Sequence, residues 1–422
     1  MPIRVLHFAD AHIDMANYGR HDPVTGLPQR VVDFLNALDQ IVDAAIEEKV
    51  DLVLFAGDAY KDRNPQPTFQ REWGKRMMRL SEAGIPTLLL IGNHDIAPAE
   101  NRAHTLQEFK TLGVPHMHVA DDGLQVWGPE ELGIPVQIIS LPWVMRSKFM
   151  ARNEVSGLTA AEIFTLIENR VESAIEDVIE QTDPDLPLIF TAHASVSGAK
   201  FGSERQVMLG QELTLSRKIV SNPHFDYVAL GHIHKHQSLN DHPPVVYAGS
   251  IERIDFGEAR EKKGYVLAEV EHGAASWRFV PLQTRPFLDL RVEVRDASRF
   301  MESVFNQLPA PEKVKDAICR ITLIYPQDLD PLLDEEAIRE QLKDAFELRI
   351  VRQRLLSKRS RLGDTVAVES LSPYELLDLY WQTKEMPVDE RDELITLARE
   401  VLSPEFSGSD PATAADNQVD EA

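Results

Sequence analysis

The chain has 422 residues, 43% hydrophobic and 27% charged, and a formal net charge of −24 at pH 7. This is ordinary globular composition, long enough for two or three domains with sizeable cores. The single cysteine, Cys319, excludes an internal disulfide framework and fits a reducing cytoplasm, and with no leader pattern and no apolar run of about 18 residues, neither export nor membrane insertion is expected.

The first predicted strand, Ile3 to Ala9, ends on Asp10 and His12. A helix from Val31 to Glu48 precedes a second strand, Asp51 to Ala56, which runs into Gly57 and Asp58. In the helix that follows, Phe69, Trp73, Met77 and Leu80 share one face while Arg71, Lys75 and Arg79 lie on others. Such a face commonly packs on the neighbouring sheet. A third strand, Pro86 to Ile91, delivers Gly92, Asn93, His94 and Asp95. After a helix from Ala160 to Gln181, the strand Leu186 to Ala192 ends on His193, and Asp226 to Leu230 ends on Gly231, His232 and His234.

These strands are short, apolar and without helical periodicity, so they read as buried on both faces. Each carries its polar residues at its C-terminal end, the edge of an open α/β sheet where ligands collect. Gly57, Gly92 and Gly231 read as sharp turns beside that crevice. One Asp-x-His after a strand is commonly a capped turn, but five such motifs in series argue for a site. Asp10, His12, Asp58, Asn93, His193, His232 and His234 offer carboxylate, imidazole and amide oxygen without thiolate, a set suited to two Mn, Fe or Zn ions. Asp58 is the candidate bridge, placing both ions on one water and one phosphoryl oxygen. His94 is the candidate general acid, with Asp95 expected to hold its far nitrogen. Of the other histidines, His7 reads as packed in the core, and His21, His104, His116, His118, His224, His242 and His272 as surface or structural. His236 stays open between loop and crevice.

From Phe287 to Leu355 the pattern runs strand, helix, strand, helix, strand, a compact α/β module. The basic run Arg349 to Arg361 reads equally as a solvated strand edge and linker or as a contact for phosphate or an acidic partner. Ser372, Pro373 and Glu375 mark a strong helix start. Leu376, Leu377, Leu379, Tyr380 and Trp381 then form more apolar surface than so short a helix leaves exposed. A second helix spans Val388 to Leu402, and the acidic end of the chain reads as disordered.

The motif series from Asp10 to His234 resembles the calcineurin-like metallophosphoesterase superfamily. Within it, the segments VLHFADAHID, GDAYKDRNPQPT, YAGSIERIDFGE and VESLSPYELLDLYWQTKEM resemble the SbcD-type DNA repair exonuclease, the nuclease subunit of the SbcCD complex. The resemblance covers most of the chain. It implies an αββα sandwich with a smaller α/β cap and C-terminal helices: a catalytic domain over residues 1–283, a cap over 284–356, a basic linker and partner-binding helices over 357–403, and an acidic tail over 404–422.

The resemblance further implies a two-metal site, manganese first among the candidates, with Asp10, His12 and His234 on one ion, Asn93, His193 and His232 on the other, and Asp58 on both. His94 would protonate the leaving 3′ oxygen of DNA, with Lys61 and Arg63 as DNA contacts. Lys61 stands where archaeal and eukaryotic relatives carry a histidine. Leu376, Leu377, Tyr380 and Trp381 would dock on the coiled coil of an SbcC-type ATPase, and the helix around Trp73 would pair two subunits. The net charge argues against a DNA substrate, although two divalent ions add local positive charge at the scissile phosphate. Hydrolysis of small phosphodiesters or phosphoproteins, or a non-catalytic scaffold, are the other readings.

Overall fold

The computed structural model describes residues 2–97, 102–144, 159–202, 213–355, 372–382, 384 and 386–401. The chain divides into two compact units, one of residues 1–292, 304–323 and 334–352, the other of residues 293–303, 324–333 and 353–422.

The first unit is built on two six-stranded sheets. One has the order β14-β13-β1-β2-β3-β4, in which β1 (Ile3–Phe8), β2 (Leu52–Phe55), β3 (Thr87–Leu90) and β4 (Met117–Ala120) are parallel, and the hairpin β13 (Gly264–Glu271) and β14 (Ala274–Pro281) lies antiparallel against β1. The other has the order β11-β12-β10-β7-β6-β5. Its parallel centre is β6 (Gln137–Leu141), β7 (Leu188–His193), β10 (Tyr227–Gly231) and β12 (Pro244–Tyr247), flanked by antiparallel β5 (Gln125–Trp127) and β11 (Gln237–Asp241). A small pair, β8 (Ser195–Val196) and β9 (Thr214–Leu215), stands apart.

The central strands are apolar throughout because each face is covered. Val5, Leu54, Leu88, Ile189, Ala229 and Val246 meet between the two sheets. On the outer face of the first sheet, Leu6, Phe8, Val53 and Phe55 pack under α1 (Gln29–Glu47) and α2 (Pro67–Glu82). On the outer face of the second, Ile139, Phe190 and Val228 pack under α3 (Ala160–Ile179). The result is the expected sandwich of helix, sheet, sheet and helix. α3 begins at a capping box in which Thr159 accepts from the Glu162 amide and Glu162 accepts from the Thr159 amide. Trp73, Met77 and Leu80 of α2 are fully buried in this core. Truncating such a tryptophan costs about 3–5 kcal/mol, so this face is part of the core of the fold.

The strand-helix-strand-helix-strand order after residue 286 is present as β15 (Phe287–Glu293), α4 (Phe300–Phe305), β16 (Ile318–Pro326), α5 (Glu335–Gln341) and β17 (Glu347–Leu355), with the sheet order β15-β16-β17. Within the first unit its base is joined to the sandwich through Arg285, whose guanidinium donates to both Asp33 oxygens at 2.6 and 2.7 Å, and through Phe287, packed with Tyr18, Phe256 and Ile318. The first half of the basic run is the strand β17, as expected. Arg349 lies 4.6 Å over the Tyr18 ring, Arg352 donates to Glu335 at 2.6 Å and Arg354 to Asp330 at 2.9 Å, so these cations are engaged within the chain.

In the second unit, α6 (Pro373–Gln382) starts with Ser372 and Glu375 in reciprocal hydrogen bonds and packs on α7 (Val388–Val401), with Arg391 donating to Asp378 at 2.9 Å. The expected linker over 357–371 and the acidic tail over 404–422 lie outside the described residues. No helix among the described residues is long and apolar enough to cross a membrane.

Candidate metal centre

The C-terminal ends of β1, β2, β3, β7 and β10 bring Asp10, His12, Asp58, Asn93, His193, His232 and His234 together, and all seven are buried. The backbone is bent to do this. Asp10, His12, Asp58 and His232 have φ of 52°, 40°, 65° and 92°, a left-handed conformation that is uncommon for side-chain-bearing residues and concentrates at functional sites. Of the three glycines expected as turns, only Gly57 has positive φ, at 99°. Gly231 is required by close approach instead: a Cβ there would collide with the Ala56 carbonyl and the His193 ring.

Two ligand clusters can be read from the side chains. Asp10, His12 and His234 offer atoms that lie within 4.8 Å of one another, and so do Asp10, Asp58 and His193. Asp58 Oδ2 is 3.3 Å from His193 Nε2 and 3.8 Å from His12 Nε2, between the two sides. Asn93 Oδ1 stands 3.1 Å from His193 Nε2 and 3.1 Å from His232 Nδ1. His12 Nε2 and His234 Nε2 face each other at 3.2 Å. Buried ring nitrogens do not point at one another without a shared proton or cation.

The far side of each imidazole fixes its tautomer. His193 Nδ1 donates to the Ala56 carbonyl at 2.7 Å, His12 Nδ1 to the Tyr60 carbonyl at 3.2 Å, and His234 Nδ1 lies 2.8 Å from Glu258 Oε1. Each thereby turns Nε2 toward the centre, as metal-binding histidines are arranged. Asp10 Oδ1 accepts from the His232 amide at 3.0 Å, while its Oδ2 is buried with no hydrogen-bond partner. Burial lifts the Asp10 carboxyl above its ordinary range. Although burial works against it, the charges of Asp58 and Asp10 raise His193 to about 9. An orphaned buried carboxylate oxygen beside converging imidazoles is a donor set that fits divalent cations.

His94 stands at the edge of this centre. Its amide donates to Asp58 Oδ1 at 2.8 Å, its Nδ1 donates to the Lys61 carbonyl at 2.8 Å, and its Nε2 is 3.3 Å from Lys61 Nζ. Asp95 does not hold His94, contrary to expectation. Its carboxylate turns inward and accepts from the amides of Asp58 at 2.7 Å, Ala59 at 3.0 Å and Gly92 at 3.1 Å, and from the Thr105 hydroxyl at 3.1 Å. Asp95 therefore ties the β2 and β3 loops together. Burial, with the Asp58 charge adding to it, lifts its carboxyl to about 7.

The other expectations divide. His7 is a core residue, bonded to Tyr227 Oη at 3.0 Å and the Leu230 carbonyl at 3.2 Å. His236 bonds the Tyr247 carbonyl and stacks on Phe279 at 4.0 Å, away from both ligand clusters. Lys61 and Arg63 line, with Asp14, His21, Arg71 and His94, an open cavity of about 1130 Å³. Leu376, Leu377 and Trp381 of α6 are half-buried and Tyr380 is 46% exposed.

Two residues of the centre were not among the expected site residues. Trp143 walls it, its ring 5.0 Å from that of His232. Glu258 orients His234 and is itself paired with buried Lys263 at 2.9 Å. Glu258→Gln removes the carboxylate behind His234 while Glu261, 2.9 Å from Lys263, keeps that lysine paired. It is expected to weaken divalent-metal affinity by about 10–100-fold, read by metal titration of the chelator-stripped protein. Unchanged affinity would remove Glu258 from the site.

The sequence profile of the calcineurin-like phosphoesterase family matches residues 3–236. Among solved structures, the chain is similar to TT1561 of Thermus thermophilus, at 15% identity and a TM-score of 0.38 over 67% of this chain and 100% of that one. It is also similar to a dimetal phosphatase from Danio rerio, at 10% identity and a TM-score of 0.35 over 66% of this chain and 99% of that one. A third is GAP50, the anchor in the inner membrane complex of Plasmodium, at 12% identity and a TM-score of 0.39 over 66% of this chain and 84% of that one.

Proposed function

This chain belongs to the calcineurin-like phosphoesterase family, whose chemistry is metal-dependent phosphoester hydrolysis, and we propose that its substrate is DNA, cut in the manner of the SbcD-type nucleases it resembles. The observation that carries the proposal is the open cavity of about 1130 Å³ beside His94. A chain substrate needs an open groove with cations along it, and Lys61, Arg63 and Arg71 stand there. Two divalent ions bound at the centre, manganese by this reading, would supply Lewis acidity for the phosphoryl oxygen and the attacking water. The protein's own part is to hold those ions with the seven ligands and to pass a proton from His94 Nε2 to the oxygen that leaves phosphorus as the P–O bond breaks.

The test is hydrolysis of linear duplex DNA against a small aryl phosphodiester, both with Mn²⁺. DNA should be preferred, with nucleotides released from the 3′ end. The net charge of −24 favours the second reading, a small phosphodiester substrate, and activity on the aryl ester alone would select it.

The proposal extends to partners and place: a cytoplasmic homodimer joined to an SbcC-type coiled-coil ATPase through α6 and α7, with residues 284–356 acting as a cap that selects substrate. Helices of 10 and 14 residues are marginal alone in water, and no residue of α6 is buried, which supports docking as the source of their stability. Trp381→Ala combined with Leu377→Ala should abolish co-purification with that ATPase and leave the nuclease activity of the free subunit intact, since aromatic anchors are worth about 2–4 kcal/mol each at interfaces. Normal binding by the double variant would end the partner reading.

A further inference from the structure

The acid needs a fixed direction as well as a proton, and His94 takes its direction from an unusual source. Its orienting contact on the far nitrogen among the described residues is a main-chain carbonyl, that of Lys61, at 2.8 Å. Lys61 sits in the exposed loop after Asp58, with Lys61, Asp62, Arg63 and Asn64 all solvent-facing. A carbonyl in such a loop wanders unless something holds the peptide. Two amides are held, and by one side chain: Asp14 accepts from the Lys61 amide at 2.5 Å through Oδ1 and from the Asp62 amide at 3.0 Å through Oδ2.

We propose that Asp14 is a positioning residue for catalysis, clamping the Lys61–Asp62 peptides so that the Lys61 carbonyl fixes the His94 ring with Nε2 turned to the leaving oxygen. The proposal rests on the reading of His94 as general acid. Asp14 follows His12 in sequence but is in neither ligand cluster; instead it lines the groove with Lys61, Asp62 and His94. Both of its oxygens are committed to the loop, and charge-assisted bonds of this kind are the strong ones. Lys61 enters through its main chain: its amide is gripped by Asp14 and its carbonyl grips His94. Whatever side chain stands at position 61 keeps that relay.

A general acid matters in proportion to how poor the leaving group is. Nitrophenolate leaves phosphorus without a proton, whereas a sugar alkoxide does not. The experiment compares the p-nitrophenyl ester of thymidine 5′-phosphate with dithymidine phosphate, using wild-type, Asp14→Ala, Asp14→Asn and His94→Ala enzymes loaded with metal. For Asp14→Ala, kcat on the dinucleotide should fall at least ten times further than kcat on the nitrophenyl ester, with KM and metal content near wild type. Asp14→Asn, which retains one acceptor oxygen, should fall between.

A second readout is the ¹⁵N signature of the His94 ring in the zinc-loaded protein: a single Nδ1–H tautomer in wild type, and a mixture in Asp14→Ala. Equal loss on both substrates with an unchanged ring signature would reduce Asp14 to a structural loop residue and overturn the proposal. Were Asp14→Ala unfolded, the same comparison on Asp14→Asn decides it. If His94→Ala itself shows no leaving-group dependence, the failure lies with the acid assignment rather than with Asp14.

Discussion

Asp58→Ala is expected to disrupt both metal positions at once and to take phosphoester hydrolysis to the uncatalysed background. Asp58 Oδ2 lies 3.3 Å from His193 Nε2 and 3.8 Å from His12 Nε2, so one carboxylate faces ligands of both clusters. Removing it leaves four imidazoles, Asn93 and Asp10 to hold cations whose charge it would have balanced. Two ions held there would lower the pKa of an attacking water by several units, toward about 7, and each unit corresponds to about 1.4 kcal/mol. Losing them therefore costs more than losing any one hydrogen-bond donor. Asp58→Asn separates charge from shape: an amide oxygen can still accept from the His94 amide, now 2.8 Å from Asp58 Oδ1, but the bridging charge is gone. Elemental analysis is the measurement, expected to give less than one ion per chain in both variants. Two full equivalents in Asp58→Ala would show that the ions sit elsewhere.

The same centre shows which parts of the molecule the sequence discloses. Leu52, Leu54 and Ala56 face the other sheet while Val53 and Phe55 face the helices, so a run such as DLVLFAGD announces both a two-sided strand and the polar residues at its end. The convergence of the seven candidate side chains was legible for that reason. What holds His94 was not. Adjacency suggests Asp95, yet in a tight turn successive side chains diverge, and the amides of Asp58, Ala59 and Gly92 draw the Asp95 carboxylate inward. Glu258 bonds His234 across 24 residues of chain, a pairing created by the fold with no periodic trace. The period of the Phe69 to Leu80 face was plain, but not what it packs against. The strand under the basic run from Arg349 was legible, but its acidic partners were not, because Glu335 and Asp330 lie 17 and 24 residues away from Arg352 and Arg354.

His94→Ala is expected to keep both metals and lose turnover. Its side chain is in neither ligand cluster, and the bond it contributes to Asp58 comes from the backbone amide, which alanine retains. The Asp58 carboxylate therefore stays oriented, and metal content should be unchanged. What goes is the imidazole whose Nδ1 is tied to the Lys61 carbonyl and whose Nε2 opens on the groove. A general acid in that place is worth about 10²–10⁴-fold in kcat, with KM little changed because the ring acts mainly in the transition state. Burial lowers the His94 imidazolium below its ordinary value, Asp58 opposes that and Lys61 adds to it. The protonated fraction consequently shrinks as pH rises through the lowered pKa. Wild-type kcat on a sugar leaving group should decline on that side, and the decline should vanish in His94→Ala. Loss of metal in this variant, or an unchanged pH profile, would make the ring a structural support of the centre, and the proton would then have to come from elsewhere in the groove, with the Lys61 ammonium 3.3 Å from His94 Nε2 as the nearest charged donor.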